Sequence, residues 1–593
     1  MSKVKKEKMK RFAPVLLGLV MLLFAQAALA YQHFKVSVYC TQQDVQRLSN
    51  EDYFRQSLNE LRKYLTIDKV YLEVHRRISN DEKTMRKVKK LFEREGIATA
   101  GGITATGGHG STLHFNVLCY SDEQQVNMLF KAVKIAAKVF DECILDDFFF
   151  TSCRCDRCIS AKGKLSWTDY RLRKMTEISR RMVRLAKKIN PRIKMVIKYP
   201  NWYPYYQNTG YNLATQPEIF DGIYTGTETR DAVYTQQNLQ PYQSYAIMRY
   251  LSNVAPAKNG GGWVDPLARG TLDRYAQQLA LTIFGGAKEV TLFHWDGLFR
   301  HLSQGRLVSE MGAVAGETFR TVDAFAGLLQ APQGLFVYRP LNTQGEDFLP
   351  DYLGMVGIPI EITPRFPRNV KSVLLTAAAG DDPELQNKIK TFLKAGGTVI
   401  ITSGLLQKLQ DHGMQEFLSA KVKGYATVNR ASDLNFKDVF DFSRSVTIPI
   451  VQAPTNDCWN EILGISSGGN AFSLLAAGSY ASGRILVLTV PDDFSDFYAF
   501  PRQTLLQIRQ MLLDEQPVLL DAPAGVSLFA YGSHTLIVQS FLRHNTKVAL
   551  HFKGNVRVKD ALSGRERKGQ RKAGKTVFEW MLPANQFQVL TYK

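Results

Sequence analysis

The chain has little of several features that would mark particular classes of protein. Residues 331–515 contain Gly468 and Gly469 but no phosphate loop, so nucleotide binding by this part of the chain has little support. No cysteine closely follows residue 30, which argues against a lipoprotein anchor. We also find no internal repeat and no low-complexity linker.

The first 30 residues have the pattern of a secretory signal peptide. A basic start at residues 3–11 precedes an apolar run at 15–24, and small residues at 25–30 suit cleavage before Tyr31. The apolar run is shorter than the roughly 20 residues of a membrane-spanning helix. We therefore expect an exported protein, periplasmic or extracellular, without a stable membrane anchor, and a retained anchor is the alternative.

Length and charge limit the possible organisation and partners. Without its leader the chain has about 560 residues, which exceeds one hydrophobic core and predicts two or three domains. The leader carries six Lys or Arg and one Glu, so its loss lowers the formal charge from +21 to about +16. The basic residues are spread along an exported chain, which disfavours nucleic acid. An acidic polysaccharide or a negatively charged surface is a better partner, and the alternative is a solvated basic surface without a specific partner.

Residues 31–330 alternate short apolar segments with amphipathic helical stretches. This order predicts a (β/α)8 TIM barrel, an α/β fold whose reactive groups lie at the carboxyl ends of its strands. The eight predicted strands are residues 34–39, 70–74, 98–104, 143–150, 193–199, 220–225, 245–249 and 289–293.

Two further domains are predicted after the barrel. In residues 331–515, apolar segments at 334–337, 372–375, 397–402 and 484–489 alternate with helices such as 382–395, which is typical of a small doubly wound α/β domain. Residues 516–593 alternate short strands with turn residues and predict a compact β-sandwich.

A cysteine cluster follows the fourth predicted strand. Cys153, Cys155 and Cys158 lie within six residues, and Cys119 lies 34 positions before them. Four thiolates can close a tetrahedral structural zinc site, and a disulfide is the alternative in an oxidising compartment. The three other cysteines lie near apolar segments and are predicted to be buried thiols: Cys40, Cys143 and Cys458.

The region around these cysteines resembles the glycoside hydrolase family 42 β-galactosidases. In that family a barrel strand ends in Asn-Glu, the Glu is the acid/base, and a Cys-x-Cys-x-x-Cys run joins an earlier cysteine on zinc. Cys119, residues 144–147 and residues 153–158 follow the same order here, and residues 275–295 are similar to the family's last helix and strand. The resemblance spans nearly the whole mature chain. It implies a barrel, an amidotransferase-like trimerisation domain, a small β domain and a homotrimer.

The family's catalytic pair is not intact in this sequence. Asp146 and Asp147 stand where the family has Asn-Glu. Arg249, at the end of the predicted seventh strand, stands about where the nucleophilic Glu would fall. β-Galactosidase activity therefore does not follow from the resemblance.

A glycosidase needs two carboxyl groups on either side of the scissile bond. Asp147 takes the acid position, and Glu228, after the sixth strand, is the best candidate for its partner, followed by Asp265 and Asp296. The alternative for each is a loop cap or a salt bridge.

Other polar and aromatic residues near the predicted strand ends are candidates for binding a carbohydrate substrate. With Asp265 and Asp296 they are Asp146, His75, Arg76, Lys198, Trp202, Arg230, Trp263 and Trp295. Among them, Arg230 would suit an acidic carbohydrate. We expect an exported glycoside hydrolase. A catalytically silent carbohydrate-binding relative is the second hypothesis. A catalytic metalloenzyme is the third, and it is disfavoured because four cysteines would close the metal's coordination sphere.

Overall fold

The computed structural model describes residues 31–593 except 108–115, 232, 234–236, 238, 268–269, 434–437, 454–459, 468–469 and 573. The predicted leader, Cys458 and the pair Gly468 and Gly469 therefore lie outside the described residues. Among the described helices, none is long and apolar enough to cross a bilayer.

The first domain is a closed barrel of eight parallel strands, which confirms the predicted fold. β1 pairs with both β2 and β8, and each remaining strand pairs with its sequence neighbours. The strands are β1 (Lys35–Cys40), β2 (Lys69–Arg76), β3 (Ala98–Thr104), β4 (Glu142–Leu145), β5 (Lys194–Tyr199), β6 (Gly222–Gly226), β7 (Asn259–Val264) and β8 (Glu289–Phe293).

Helices cover the outside of the barrel, and an aromatic cluster fills part of its inside. The inner cluster consists of Tyr39, Tyr71, Ala100, Ile144, Tyr224 and Trp263. The outer helices are α1 (Gln42–Leu48), α2 (Glu51–Leu61), α3 (Glu82–Arg94), α4 (Glu123–Val139), α5 (Asp156–Lys162), α6 (Trp167–Ile189), α7 (Tyr206–Thr209), α8 (Gln216–Ile219), α9 (Gln243–Val254), α10 (Leu272–Phe284) and α11 (Glu310–Ala326).

The predicted seventh strand, residues 245–249, is wrong. These residues belong to α9, whose buried side chains cover most of its circumference and therefore conceal the helical period. The actual strand, β7, contains three consecutive glycines, a residue type that is depleted in strands. A Cβ at Gly261 would lie 2.1 Å from the Glu289 carbonyl oxygen, and one at Gly262 would lie 2.2 Å from a Thr282 methyl group. Close approach to β8 and α10 therefore requires these glycines.

The second domain is built on one nine-stranded sheet. Its parallel part has the order β10-β9-β11-β12-β17, and an antiparallel part, β16-β15-β13-β14, extends it. The sequence indicated the parallel strands but missed the extension. The strands are β9 (Leu335–Tyr338), β10 (Ile360–Thr363), β11 (Ser372–Leu375), β12 (Thr398–Thr402), β13 (Lys421–Asp433), β14 (Val439–Gln452), β15 (Asn460–Ser467), β16 (Asn470–Tyr480) and β17 (Gly483–Leu488), and the helices are α12 (Leu349–Met355), α13 (Leu385–Lys394), α14 (Ser403–Leu409) and α15 (Arg502–Leu512).

The third domain is the predicted β-sandwich. One antiparallel sheet contains β19, β20, β22 and β25, the other contains β18, β21, β23 and β24, and side chains of both sheets form one apolar core. The strands are β18 (Val518–Asp521), β19 (Val526–Tyr531), β20 (Thr535–Ser540), β21 (Thr546–Lys553), β22 (Val558–Asp560), β23 (Gln570–Lys572), β24 (Lys575–Leu582) and β25 (Phe587–Tyr592).

Arg249 belongs to the contact between the first two domains. Its guanidinium lies 2.7 Å from the Glu361 carboxylate in β10, and Asn253 donates to the same carboxylate at 2.6 Å. Arg249 is therefore a structural residue of the interdomain contact, and it does not occupy a strand end at the barrel mouth.

Candidate active site

The carboxyl ends of β2 to β7 bring a set of buried and half-buried charged side chains together. Parallel strands all end at the same face of a barrel, so residues distant in sequence meet there. The set consists of Glu73, Arg76, Asp146, Asp147, Lys198, Glu228, Arg230 and Asp265, and all of them except Glu73 were candidates from the sequence.

Lys198 joins three of these carboxylates. Its Nζ lies 3.1 Å from Asp147, 3.4 Å from Glu228 and 3.5 Å from Asp146. The contacting oxygens of Asp147 and Glu228 are therefore at most 6.5 Å apart, the sum of the first two distances. The same ammonium lies 4.3 Å from the centre of the Trp263 ring, which forms the floor below it.

Burial makes two of these carboxyl groups weak acids. Desolvation raises the pKa of Asp147 to about 6, against the opposing charge of Lys198. Desolvation also raises the pKa of Glu228 to about 7, and the Asp265 and Asp147 charges add to that effect while Lys198 opposes it. Among the described residues, Oε2 of Glu228 has no hydrogen-bond partner.

Asp146 differs from its neighbour because it is held in its charged form. Arg76 Nη2 donates to it at 2.8 Å, and the backbone N–H of Asp147 donates to its other oxygen, also at 2.8 Å. Although burial opposes ionisation, Lys198 and Arg76 outweigh it and lower the pKa of Asp146. Asp146 is thus a fixed anion, whereas Asp147 can exchange a proton near neutral pH.

Asp265 is the residue that follows β7. Arg230 binds both of its carboxylate oxygens, at 2.8 and 3.3 Å, and the N–H of Leu267 donates to it at 3.0 Å. The corrected position of β7 means that an aspartate, and not Arg249, follows the seventh strand. Asp265 ranked below Glu228 from the sequence while Arg249 was placed at the end of the seventh strand. With the corrected strand, Asp265 is a stronger candidate than the sequence indicated.

Three predicted substrate-binding residues are committed to other contacts. His75 is buried, and its two ring nitrogens lie 2.9 Å from the Ser79 hydroxyl and from the Thr106 carbonyl. Trp295 is completely buried and donates to Ser57 at 3.2 Å, so the expectation that it lines the pocket is wrong. The carboxylate of Asp296 contacts the side chains of Arg47, Tyr53 and His301.

The two other predicted tryptophans also pack on protein. Trp263 is 2 % exposed, and its ring centre lies 4.7 Å from that of Tyr39 inside the barrel, which corrects the expectation of a sugar platform. Trp202 is half-buried and packs edge-on against Phe150, with ring centres 5.3 Å apart. A tryptophan near a strand end can point into the barrel or out of it, and the sequence does not distinguish these directions.

Two residues of the mouth were missed in the sequence. Glu73 is fully buried within β2, where it accepts hydrogen bonds from Tyr39 at 2.7 Å and from Arg76 at 3.0 Å. An acidic residue inside an otherwise apolar strand was the available signal. Arg77 lies at the tight turn after β2 with φ of 62°, and it lines a cavity of about 420 Å³ beside the cluster.

The four predicted metal ligands converge. The sulfur atoms of Cys119, Cys153, Cys155 and Cys158 all lie within 4.8 Å of one another. Cys119 Sγ is 3.7 Å from Cys155 Sγ and 3.5 Å from Cys158 Sγ, distances well beyond the roughly 2.05 Å of a disulfide bond. The cluster can hold a metal ion, and its donor set of four sulfurs suits zinc.

Residues 569–576 carry a misleading motif. Their letters match the phosphate-loop pattern Gly-x-x-x-x-Gly-Lys-Thr. In the structure, residues 570–572 form β23 and residues 575 and 576 begin β24, and Lys572 faces Lys575 in this antiparallel pair. A phosphate loop requires a strand, a loop and then a helix, so this match has no functional meaning.

A closed (β/α)8 barrel with paired carboxylates at its mouth is the arrangement that many glycoside hydrolases use. Residues 24–322 match the family described as "Probable glycosyl hydrolase, catalytic domain", and the chain belongs to that family. Residues 330–493 match "Uncharacterized protein SSO3021, second domain", and residues 517–591 match "Probable glycosyl hydrolase, C-terminal domain". The predicted enzyme class, a glycosidase, is confirmed at this level.

Similar proteins support the same fold. An uncharacterized protein of Saccharolobus solfataricus, SSO3021, is 30% identical over 369 residues, which are 56% of this chain and 60% of that protein. The chain thus spans about 60% of the length of this curated relative. A β-galactosidase from Bacillus circulans sp. alkalophilus superposes with a TM-score of 0.64 at 12% identity, covering 94% of this chain and 99% of that chain. Gan42B, a GH42 β-galactosidase from G. stearothermophilus, solved as a catalytic mutant, gives 0.63 at 10% identity, covering 95% and 98%. The predicted resemblance to that family is confirmed for the fold.

Proposed function

We propose that the protein is an exported glycoside hydrolase in which Asp147 and Glu228 form the catalytic pair. The observation that supports this most is their shared contact with Lys198 at the barrel mouth, which limits the separation of two of their oxygens to 6.5 Å. Retaining glycosidases place their carboxyl groups about 5 to 5.5 Å apart, and inverting enzymes place them about 6.5 to 9.5 Å apart.

The difference in burial between Glu228 and Asp147 indicates which of the two carboxyl groups keeps its proton. Glu228 is 3% exposed in its side chain, Asp147 is 21% exposed, and their pKa values are raised to about 7 and about 6. Between these values Glu228 keeps its proton while Asp147 is ionised. Glu228 therefore serves as the general acid that protonates the leaving oxygen, and Asp147 serves as the nucleophile or as the base that activates water.

Asp265 is the competing partner, because it follows β7. We rank it second on the basis of its hydrogen bonds. Both of its oxygens already accept from Arg230, whereas Oε2 of Glu228 has no partner among the described residues. A group that must take or give a proton needs a free lone pair or a free O–H in the reaction geometry.

The test is a screen of chromogenic glycosides and of plant and host polysaccharides, acidic ones included. We expect hydrolysis of at least one substrate, and we expect Asp147→Asn to abolish it. Asp141→Asn is the matched control, because Asp141 is exposed at the amino end of the same strand. Loss of activity in the control, or full activity in Asp147→Asn, contradicts the proposed site.

A silent carbohydrate-binding protein is the second candidate function. The observation in its favour is Lys198, whose ammonium contacts both proposed catalytic carboxylates. Calorimetric binding of a sugar that no assay shows to be hydrolysed would support this candidate over the hydrolase.

We propose that Cys119, Cys153, Cys155 and Cys158 hold a structural zinc ion. When bound, the ion fixes the loop after β4, and this loop begins at Asp146 and Asp147. Elemental analysis of the purified protein should find one zinc per chain. A chain without metal but with a cysteine disulfide contradicts this proposal.

Export and assembly are proposed from the sequence and from the resemblance. We propose cleavage before Tyr31, release to the periplasm or medium, and a homotrimer formed through residues 331–515. Mass spectrometry of the secreted protein should give a chain that begins at Tyr31. Light scattering that shows a monomer at micromolar concentration would count against the assembly.

A further inference from the structure

A cavity of about 420 Å³ opens beside the carboxylate cluster, between the ends of β1, β2 and β8. Phe148, which directly follows Asp147 in sequence, forms one wall, and Arg76, which binds Asp146, connects the cavity to the carboxylate cluster. Its neutral polar wall consists of Thr41, Gln42, Gln43 and Thr106. These side chains are able to donate and accept hydrogen bonds with sugar hydroxyls.

The ionisable residues that line this cavity are all basic. They are Arg76, Arg77 and His294, and none of the described lining residues is an aspartate or a glutamate. Two of the three already have anionic partners: Arg76 binds Glu73 and Asp146, and His294 lies 2.8 Å from Asp44.

Arg77 is the third of these basic residues. It is exposed, and within the described part of the chain its side chain has no ion pair and no hydrogen bond. Its φ of 62° lies in the left-handed region, a backbone conformation that glycine adopts without steric cost. An arginine at such a position has a conformational cost that glycine does not have, and strained residues of this kind are often found at ligand sites.

The balance of charge therefore changes across the barrel mouth, from acidic around Lys198 to basic at the cavity. The cluster around Lys198 contains more carboxylates than cations, whereas the cavity next to it has one arginine whose side chain has no partner among the described residues. A neutral sugar can accept only ordinary hydrogen bonds from that arginine through its hydroxyl oxygens. A sugar with an anionic substituent gains a charge-assisted hydrogen bond that a carboxylate or a sulfate can accept from the guanidinium in bidentate geometry.

We propose that this cavity binds the anionic substituent of the substrate through Arg77, so that the enzyme acts on an acidic glycoside. The sugar ring then lies against Phe148, its anomeric carbon faces Asp147, and its glycosidic oxygen points towards Glu228. This inference rests on the proposed function for the position of the scissile bond. The substituent is a uronic acid carboxylate or a sulfate ester, since each is anionic and offers two acceptor oxygens to the two N–H groups of a guanidinium.

The experiment measures binding and does not depend on turnover. Calorimetric titrations of Asp147→Asn use glucuronic, galacturonic and mannuronic acids, the corresponding neutral sugars and their 6-sulfates. We expect at least one acidic sugar to bind about tenfold more tightly than its neutral counterpart, and we expect 0.5 M salt to weaken that preference. Preference for the uronic acid or for the 6-sulfate identifies the source of the charge.

The decisive comparison adds Arg77→Gln to the same protein. We expect the acidic preference to disappear while binding of the neutral sugar is unchanged. Arg192→Gln is the control, because Arg192 is an exposed arginine just before β5, at the opposite end of the barrel, and should keep the preference. Equal binding of acidic and neutral sugars, or a preference that survives Arg77→Gln, overturns the inference.

These outcomes are separate from those that test the hydrolase itself. Arg77-dependent binding without hydrolysis of any glycoside of the bound sugar contradicts the proposed function but supports the cavity's role. Hydrolysis of acidic glycosides at a kcat/KM unchanged by Arg77→Gln supports the hydrolase and overturns the cavity's role.

Discussion

The two sides of the barrel mouth differ in how their charges are paired. On the side of β4 to β7, Lys198 and Arg230 each contact at least one buried carboxylate. On the side of β1, β2 and β8, Arg77 lies exposed on a cavity lined by no acidic residue among those described. The first side has a surplus of carboxylates, and the second has a cation that is unpaired within the described part of the chain.

This difference suits the first side to proton transfer and the second side to binding a ligand. Burial on the first side raises the pKa values of Asp147 and Glu228 towards neutrality, which is what proton transfer at physiological pH requires. An unpaired charge is costly when buried but not when solvated. The free arginine is therefore found on the open side, where it can meet an anionic ligand.

The largest expected effect tests which carboxylate is the partner of Asp147. Once a substrate is known, Glu228→Gln should lower kcat by about 10³-fold or more, because the general acid is lost. Asp265→Asn should lower it much less, through the loss of the Arg230 contact. Steady-state kinetics of both variants measure the ranking. The reverse order would move the catalytic role to Asp265, the residue that follows β7.

The next largest effect concerns the thermal stability that the cysteine cluster gives to the loop after β4. Cys155→Ser should lose bound zinc and lower Tm by roughly 5 °C or more, since the loop after β4 loses a metal ligand. Differential scanning calorimetry and metal analysis measure both quantities. Cys40→Ala is the control, because Cys40 is a buried thiol of β1 outside the cluster. Unchanged Tm and zinc content in Cys155→Ser would contradict a structural metal.

A smaller effect is a change in the pH dependence of stability. The folded state raises the pKa of Glu228 from 4.5 to about 7, so between these values it holds a proton that the unfolded chain has released. Stability is therefore lost as pH rises through about 7. Glu228→Gln has no such group, and at pH 8 it should be more stable than the wild type, by on the order of 3 kcal/mol.

At pH 5 the two proteins should be nearly equal, since Glu228 is protonated in the folded wild type. Urea unfolding at pH 5 and pH 8 gives the difference. Glu317→Gln, at an exposed helix position, should follow the wild type at both values. A variant that is less stable than the wild type at pH 8 would mean that the Lys198 contact outweighs desolvation.

The sequence was a good guide to the barrel where strands are apolar and a poor one where packing decides. Residues 289–293 were placed correctly as a mostly apolar run followed by His294, and residues 98–104 were placed correctly although they contain Gly101 and Gly102. β7 was missed because its glycines serve close contacts with Glu289 and Thr282, which are distant in sequence.

The site was predicted to a similar extent. The convergence of the four cysteines follows from ligand spacing, and the charged candidates were found because they follow apolar runs. The direction of a side chain is not encoded locally, so Trp263 and Trp295 were assigned to the pocket although they pack inside the protein. Arg77 was missed because only the turn after β2 brings it to the cavity.

The smallest expected effect is at Asp296, which follows β8 but is directed away from the cluster. Its carboxylate is held by Arg47 at 2.6 Å, by His301 at 2.8 Å and by Tyr53 at 3.0 Å. Asp296→Asn should therefore leave kcat/KM within about twofold of the wild type and lower stability by about 1 kcal/mol, as expected for a partly exposed ion pair. Kinetics and urea unfolding of this variant test the boundary of the catalytic side, because a loss in kcat of tenfold or more would extend the catalytic site to β8.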